Sequence, residues 1–203
     1  MSALLELLPR TVDGLILSAP LVPPTLDGRK TVTRRMSRKW LKRKVGELLF
    51  VRETWYDDMF REPGEEPERL DDGTVDGIEY RATHDCRAWE AGCPCNPDGD
   101  GKRSEWRSPI HLPKWASRCV LRITEKPRVE PVQAITAAEI VAEGFDIPDV
   151  DYTVQERPDV LDFEREQFAI GEFRKTWEKL HKKPGERWQD NPTVVRIAFE
   201  RAA

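Results

Sequence analysis

The apolar residues of this 203-residue chain are gathered into short runs, and the length of these runs limits what the chain can fold into. Five runs have the length or the alternation of strands: 14–19, 46–53, 77–82, 119–124 and 193–200. A short helix is expected at Thr136-Ala-Ala-Glu139, which has the form of a capping box, and a long amphipathic helix where apolar residues recur from Phe163 to Leu180. Strands and helices that rarely alternate predict an α+β domain built around a small, mixed β-barrel with flanking helices.

Proline and glycine mark where some of these elements end. Pro20 stops the first strand, and the helix that follows is expected to end at Gly28, because glycine suits the left-handed conformation after a helix. Gly171 lies inside the long helix, where glycine costs on the order of 1 kcal/mol relative to alanine. Packing of the long helix must offset that cost.

The charges of the chain are separated along the sequence. Charged residues make up 34% of the chain, above the quarter that is usual, and the net charge is -4. Residues 28–44 contain nine basic side chains and no acidic one, whereas residues 53–79 contain eleven acids against Arg61 and Arg69. Because these two local charges cancel in the sum, the average charge does not exclude an anionic ligand.

Targeting signals are not evident in the sequence. The apolar N-terminal residues are interrupted by Glu6 and Pro9, and no stretch approaches the roughly 20 apolar residues that span a bilayer. These features predict a cytoplasmic protein that has no membrane partner. The sequence leaves the oligomeric state open.

Four soft side chains lie close together within the central part of the chain. His84, Cys86, Cys93 and Cys95 could close a tetrahedral zinc site, although gaps of one residue are tighter than the usual two-residue zinc knuckle, and a surface loop without metal is the alternative. Such a zinc would be structural, since four protein ligands leave no position for a catalytic water. No cofactor is therefore expected for catalysis.

The segment Asp27-Gly-Arg-Lys-Thr-Val-Thr-Arg-Arg35 is the strongest candidate for chemistry. Lys30 and Thr33 are three residues apart, so on a regular strand they would point to opposite faces, and they can meet only if the chain turns or bulges. In such a turn a partly desolvated Lys30 could take the proton of the Thr33 hydroxyl, which is a weak nucleophile unaided. The alternative is that the segment is a solvated basic face with threonines chosen for strand propensity.

The chain resembles the ASCH domain proteins of bacteria and phages. The resemblance rests on the segment 27–35 and, in order after it, on three further motifs: Gly46-Glu-Leu-Leu-Phe-Val-Arg-Glu-Thr-Trp55, Pro109-Ile-His-Leu-Pro-Lys-Trp-Ala-Ser-Arg118 and Glu172-Phe-x-x-x-Trp177. It implies one domain over residues 1–203, a β-barrel related to PUA domains and a cleft suited to a nucleoside or an RNA segment. Relative to compact members of the family, residues 57–107 and 146–160 look like insertions.

The same resemblance implies an activity and a set of catalytic residues. Bacterial amidohydrolases of this family remove the acyl group from N4-acetylcytidine with a Lys and a Thr from the matching segment and a Glu from a later helix. Matched residue by residue, these are Lys30, Thr33 and Glu143; Glu139 lies one turn earlier but is occupied if the capping box forms. In the implied reaction Thr33 attacks the amide carbonyl, Lys30 acts as base, and Glu143 orients Lys30 or protonates the departing amine.

Further residues could contact the nucleoside, and other functions remain open. Arg29, Arg52 and Trp55 could flank the base or the ribose, because guanidinium and aromatic planes stack on nucleobases, although core packing is the simpler interpretation of Trp55. The expected partner is a small nucleoside substrate, with RNA as a further possibility. The alternatives to an amidohydrolase are an RNA-binding PUA-like module without catalysis and a ribonuclease.

Overall fold

The computed structural model describes residues 13–57, 68–71, 73–84, 105–147 and 158–202. Its strands are β1 (Gly14–Ile16), β2 (Val32–Arg35), β3 (Leu48–Arg52), β4 (Trp55–Asp57), β5 (Ile78–Tyr80), β6 (Val120–Ile123), β7 (Arg128–Pro131) and β8 (Thr193–Arg201). Its α-helices are α1 (Val22–Leu26), α2 (Ala137–Ala142) and α3 (Pro158–Leu180). Short 3₁₀ turns lie at Ala19–Leu21, Arg38–Lys42, Pro109–His111, Lys114–Ala116, Val132–Ala134 and Trp188–Asp190. The α+β class expected from the sequence is confirmed.

The contacts of the chain divide it into two units, each assembled from separate segments. Unit 1 comprises Met1–Leu26, Leu48–Arg122 and Arg201–Ala203, and unit 2 comprises Asp27–Glu47 and Ile123–Glu200. Whether the chain is a single domain with two insertions stays a prediction.

Unit 1 contains three strands from the apolar runs of the sequence. β1 lies parallel to β3, with Leu15 opposite Val51, and β3 is antiparallel to β6, with Leu49 opposite Leu121. All four of these side chains are buried, and they share one face of the sheet because opposite residues of paired strands, and residues two apart on one strand, point the same way.

Gly14 begins β1 where a side chain has no room. A Cβ atom at residue 14 would lie 2.5 Å from Nε of Arg52, the last residue of β3. The Arg52 guanidinium continues past Gly14, donates to the Ile110 carbonyl at 2.9 Å and lies 5.0 Å from the centre of the Phe50 ring. Gly14 thus leaves room for the Arg52 side chain of β3 to lie over the backbone of the neighbouring strand β1.

A second pair of strands in unit 1 forms its own small core. β4 is antiparallel to β5, with Trp55 opposite Tyr80. The buried side chains that pack together here are Trp55, Val75, Ile78, Tyr80, Leu112 and Ala116. Residues from the segment 57–107 therefore contribute to the apolar packing of unit 1.

A buried ion pair ties β3 to the segment before β6. Arg118 donates from Nε and Nη2 to the two carboxylate oxygens of Glu53, each at 2.8 Å, and from Nη1 to Thr83 Oγ1 at 2.9 Å. Its guanidinium lies 4.3 Å from the centre of the Tyr80 ring. Burial raises the pKa of Glu53, and the charge and hydrogen bonds of Arg118 oppose that rise.

Unit 2 is organised around β8, the closing strand that the sequence predicts. β2 and β7 both run antiparallel to β8 and pair with overlapping stretches of it, so that Arg196 is opposite Arg34 of β2 and opposite Arg128 of β7. The expected end of the preceding helix is confirmed, because Gly28 has a φ of 77°. Beyond Gly28, the backbone N–H of Thr31 donates to Ala142 at the end of α2.

The helices of unit 2 begin and end as their sequences indicate. Thr136 Oγ1 accepts the backbone N–H of Glu139 at 3.3 Å, and Gly144 follows α2 with a φ of 88°. α3 packs Phe173 and Trp177 into a buried apolar cluster. The other buried members of this cluster are Val132, Ile135, Ile140, Ala169, Trp188 and Val194.

The predicted apolar stripe of α3 is wrong at its two ends. Phe163 is 60% exposed and Leu180 is 62% exposed, whereas Phe173 and Trp177 are each 5% exposed. Helical periodicity places side chains on one face but does not say how far the opposing surface extends. The buried stripe therefore covers only the middle of the helix.

We expect Gly171→Ala to raise the free energy of unfolding by about 0.5–1 kcal/mol, measured by urea denaturation. A Cβ at residue 171 meets no atom within 4 Å, and alanine gives up less conformational freedom than glycine in a helix interior. Gly185→Ala is the matched control: it also has open space, but its φ of 83° makes alanine costly by about 1 kcal/mol. A Gly171→Ala variant less stable than the natural chain would contradict the prediction.

Among the described residues, the structure contains no helix whose length and apolar character would let it cross a membrane.

Candidate functional site

Lys30 lies just before β2 and is buried with its charge. Its side chain is fully covered, and Nζ donates to the Val32 carbonyl at 2.8 Å, to the Glu143 carbonyl at 2.7 Å and to Glu143 Oε2 at 2.7 Å. An ammonium group has three donors, and three acceptors surround this one. The predicted association of Lys30 with Glu143 is thus present in unit 2 as a direct contact.

The protonation of Lys30 is balanced between burial and its neighbours. Loss of solvation lowers the pKa of Lys30, and the charge and hydrogen bond of Glu143 act in the opposite direction. Arg35 and Arg34 lower it further by repulsion. The outcome is a pKa below the ordinary lysine value, which is the direction that a general base near neutral pH requires.

Thr33 occupies the second position of β2 and is 4% exposed. Side chains alternate along a strand, so Thr33 faces away from Val32 and Arg34 and shares its face with Arg35. Within the part of the chain that the structure describes, the acceptors of Lys30 Nζ are Val32 and Glu143, and Thr33 Oγ1 is not one of them. A proton transfer from Thr33 to Lys30 therefore requires Lys30 to give up one of these hydrogen bonds.

Glu143 follows the last turn of α2, and its carboxylate is shared by two cations. Oε2 accepts from Lys30, and Oε1 accepts from Arg34 Nη1 at 3.2 Å. Glu143 is 4% exposed and Arg34 6% exposed, so both cations meet the carboxylate away from bulk water. This explains a carboxylate at the unfavourable C-terminal end of a helix, which the sequence left without a partner.

Glu139 connects the site to the sheet of unit 2. The arginines of three neighbouring strands stand in one row, and like charges directly opposite one another are unfavourable. Glu139 lies among them: Oε2 accepts from Arg34 at 2.6 Å, while Oε1 accepts from Arg196 at 2.9 Å and lies 3.5 Å from Arg128. The pKa of Glu139 is lowered by Arg34, by the Thr136 backbone N–H and by Arg196, although burial opposes this.

The residues expected to contact a nucleoside lie in both units. Arg29, in unit 2, is half exposed and paired with Asp146 at 2.7 Å and with Asp27 at 3.3 Å. Arg52 and Trp55 lie in unit 1, where Arg52 crosses the sheet and Trp55 is 5% exposed in the core. Core packing is therefore the observed environment of Trp55, with the Arg107 guanidinium 5.0 Å from the ring centre.

Three of the four proposed zinc ligands, Cys86, Cys93 and Cys95, lie outside the described residues. His84 is described: its Nδ1 lies 2.6 Å from Glu79 Oε2, and its ring meets the Trp106 ring edge to face. In the described ranges, no group of three or more His, Cys, Asp or Glu residues is placed to hold a metal.

Cys119, the remaining cysteine, is buried just before β6. Burial raises the pKa of its thiol to about 12. Since the thiolate is the reactive form, Cys119 is not a nucleophile at neutral pH.

Comparison with known proteins gives no family assignment for the chain: no family model matches it, and no match is found among curated proteins or among solved structures.

Proposed function

We propose that the protein is an amidohydrolase that removes the acyl group from N4-acylated cytidine or a related cytosine nucleoside, on a PUA-like barrel of the ASCH type. The observation that carries the proposal is the buried contact between Lys30 and Glu143, with Lys30 three residues before the buried Thr33 of β2. The ordered motifs that resemble ASCH amidohydrolases name the same three residues. A solvated basic face would have no reason to bury a lysine and a glutamate together.

The proposed reaction is an acyl transfer in two stages. Lys30, as the neutral amine, takes the hydroxyl proton of Thr33 while Thr33 Oγ1 bonds to the amide carbon. The carbon–nitrogen bond then breaks, and the exocyclic nitrogen takes from Lys30 the proton that Thr33 gave up and leaves as the amine of cytidine. Water then hydrolyses the acyl-threonine ester, which releases the acid and restores the Thr33 hydroxyl. Glu143 holds Lys30 through Oε2, which favours its orienting role over that of a proton donor.

RNA binding without catalysis is the second candidate, and exposed basic residues favour it. The 3₁₀ turn Arg38–Lys42 buries Trp40 and leaves Arg38, Lys39 and Lys42 exposed. Lys39 lies 5.2 Å from the centre of the Trp40 ring, which keeps that cation at the surface of the turn. Such a turn suits phosphate contacts, but it gives no role to the burial of Lys30 with Glu143.

The test is incubation of the purified protein with N4-acetylcytidine, with cytidine and acetate measured as products. We expect turnover by the natural chain and a loss of at least about a hundredfold in kcat/KM for Lys30→Met and for Thr33→Val, since each removes a group used in proton transfer or bond formation. Lys42→Met is the control, because its side chain is exposed on the basic turn and has no part in the reaction.

The two candidates respond differently to salt. Hydrolysis of an uncharged nucleoside should change little between 50 and 200 mM salt, whereas binding to several RNA phosphates should weaken steeply. Absence of turnover on any N4-acyl cytosine derivative, together with salt-sensitive RNA binding, would replace the first proposal by the second. Full activity of Thr33→Val would remove Thr33 as the nucleophile.

A further inference from the structure

The hydrogen bonds of Glu143 involve a residue that the proposed reaction does not use. Arg34 is buried to the same degree as Lys30 and Glu143, and its side chain is 1% exposed. Its Nη1 donates to Glu143 Oε1, the oxygen that Lys30 does not bind. One carboxylate is therefore divided between Lys30 on one oxygen and Arg34 on the other.

The second terminal nitrogen of Arg34, which does not contact Glu143, is held by two other carboxylates. Its Nη2 lies 2.7 Å from Glu130 Oε1 on β7 and donates to Glu139 Oε2 at 2.6 Å on α2. Glu139 is in turn held by Arg196 on β8. A planar guanidinium contacting three carboxylates in this way has a fixed orientation, which a flexible ammonium group would not reproduce.

We infer that Arg34 is a positioning residue that binds Glu143 Oε1 and thereby shares the carboxylate charge that would otherwise act on Lys30 alone, with Glu130 and Glu139 as the anchors of Arg34. As a statement about hydrolysis, this inference rests on the proposed function. As a statement about the charge on Lys30, it stands on the contacts of unit 2 alone.

The inference predicts the protonation of Lys30 in two variants with opposite signs. The charged groups that act on Lys30 are Glu143 beyond the end of α2 and Arg34 and Arg35 on β2. Arg34→Gln removes a repelling cation and leaves Glu143 to Lys30 alone, so the pKa of Lys30 should rise. Glu139→Gln removes an anion that offsets the charge of Arg34, so Arg34 acts more strongly on Glu143 and on Lys30, and the pKa of Lys30 should fall.

The experiment follows the Lys30 amine directly by NMR titration of protein labelled with ¹³C-lysine, the signal being assigned by its loss in Lys30→Met. We expect a shift of about one pH unit upward for Arg34→Gln and a downward shift for Glu139→Gln. Arg34→Lys keeps the cation and should lie closer to the natural chain. Arg196→Gln is the matched control, because it breaks the same network without contacting Glu143.

Hydrolysis supplies the second measurement. The pH below which kcat/KM declines should move with the pKa of Lys30. For Arg34→Gln, kcat/KM at pH values below that pKa should therefore be about tenfold lower than in the natural chain. A lysine titration that is unchanged, or moved in the same direction, in Arg34→Gln and Glu139→Gln overturns the inference, whatever the substrate. If Arg34→Gln does not fold, the test is made with the other two variants. The inference then requires a lower pKa of Lys30 in Glu139→Gln and an unchanged pKa of Lys30 in Arg196→Gln. If the pKa of Lys30 shifts in opposite directions in the two variants but the natural chain hydrolyses no N4-acyl cytosine, the inference is supported and the proposed function is not.

Discussion

Replacing Glu143 by Gln should lower the free energy of unfolding by about 3–5 kcal/mol near pH 6.5, because the change leaves the Lys30 ammonium buried without its counter-charge. The loss should depend on pH. In the folded variant the pKa of Lys30 falls further, while the unfolded amine keeps its ordinary value near 10.4. The contribution of a group with a lowered folded pKa is complete above that unfolded value and is lost as the pH falls. Since the pKa of Lys30 is lowered in the natural chain too, the cost relative to that chain should shrink by up to about 1.4 kcal/mol for each pH unit between the folded pKa of the variant and that of the natural chain, and should be constant above the latter.

Two further variants separate the unpaired charge from a general loss of packing. Lys30→Met in the Glu143→Gln background removes the buried cation and should recover most of the lost stability, because a buried pair replaced as a whole costs less than a broken one. Glu178→Gln breaks an exposed ion pair with Arg174 on α3 and should cost at most about 0.5 kcal/mol. A double variant no more stable than Glu143→Gln alone would refute this account.

Glu53→Gln should destabilise unit 1 by about 3–5 kcal/mol for a related reason, but without the relief at high pH. It removes the carboxylate that receives two hydrogen bonds from Arg118 at 2.8 Å. Arginine keeps its proton at any pH at which the protein is folded, so Arg118 cannot escape the penalty by becoming neutral. Denaturation at pH 6.5 and at pH 9 should give the same loss, in contrast to Glu143→Gln.

Hydrogen exchange assigns each loss to its own region. Glu53→Gln should reduce the protection of amides in β3 and β6, and Glu143→Gln should reduce that of amides in β2. Arg118→Met combined with Glu53→Leu replaces the first pair by apolar side chains and should restore stability to within about 1–2 kcal/mol. If Glu53→Gln loses stability only at low pH, the pair with Arg118 is not the cause.

Local signals in the sequence predicted much of the fold. Gly28 and Gly144 end helices with positive φ, and the alternation from Thr193 predicted β8, because both depend on backbone preferences within a few residues. The ends of α3 were predicted wrongly, since the exposure of Phe163 and Leu180 depends on how far the surface opposite the helix extends. Periodicity carries no information about that extent.

The site was predicted in part. Lys30 and Glu143 followed from a family resemblance, because no local pattern joins two residues 113 positions apart. The role of Arg34 was missed: it is one of nine basic residues within the segment 28–44, and charge alone does not distinguish a buried arginine from a solvated one. Two features of the sequence bear on the burial of Arg34: the alternation of side chains along β2, and the acids Glu130 and Glu139. The contacts of these acids with Arg34 depend on the pairing of distant strands, which the sequence does not show.

The assembly of unit 2 from two distant segments sets an order of events on the ribosome. Lys30 and Thr33 are synthesised well before Ile197, which pairs with Thr33. Until β8 leaves the ribosome, β2 lacks the strand with which it pairs in the described part of the chain. Unit 2 is therefore completed only after β8 has been synthesised, and a truncation before β8 would leave Thr33 without the strand that pairs with it.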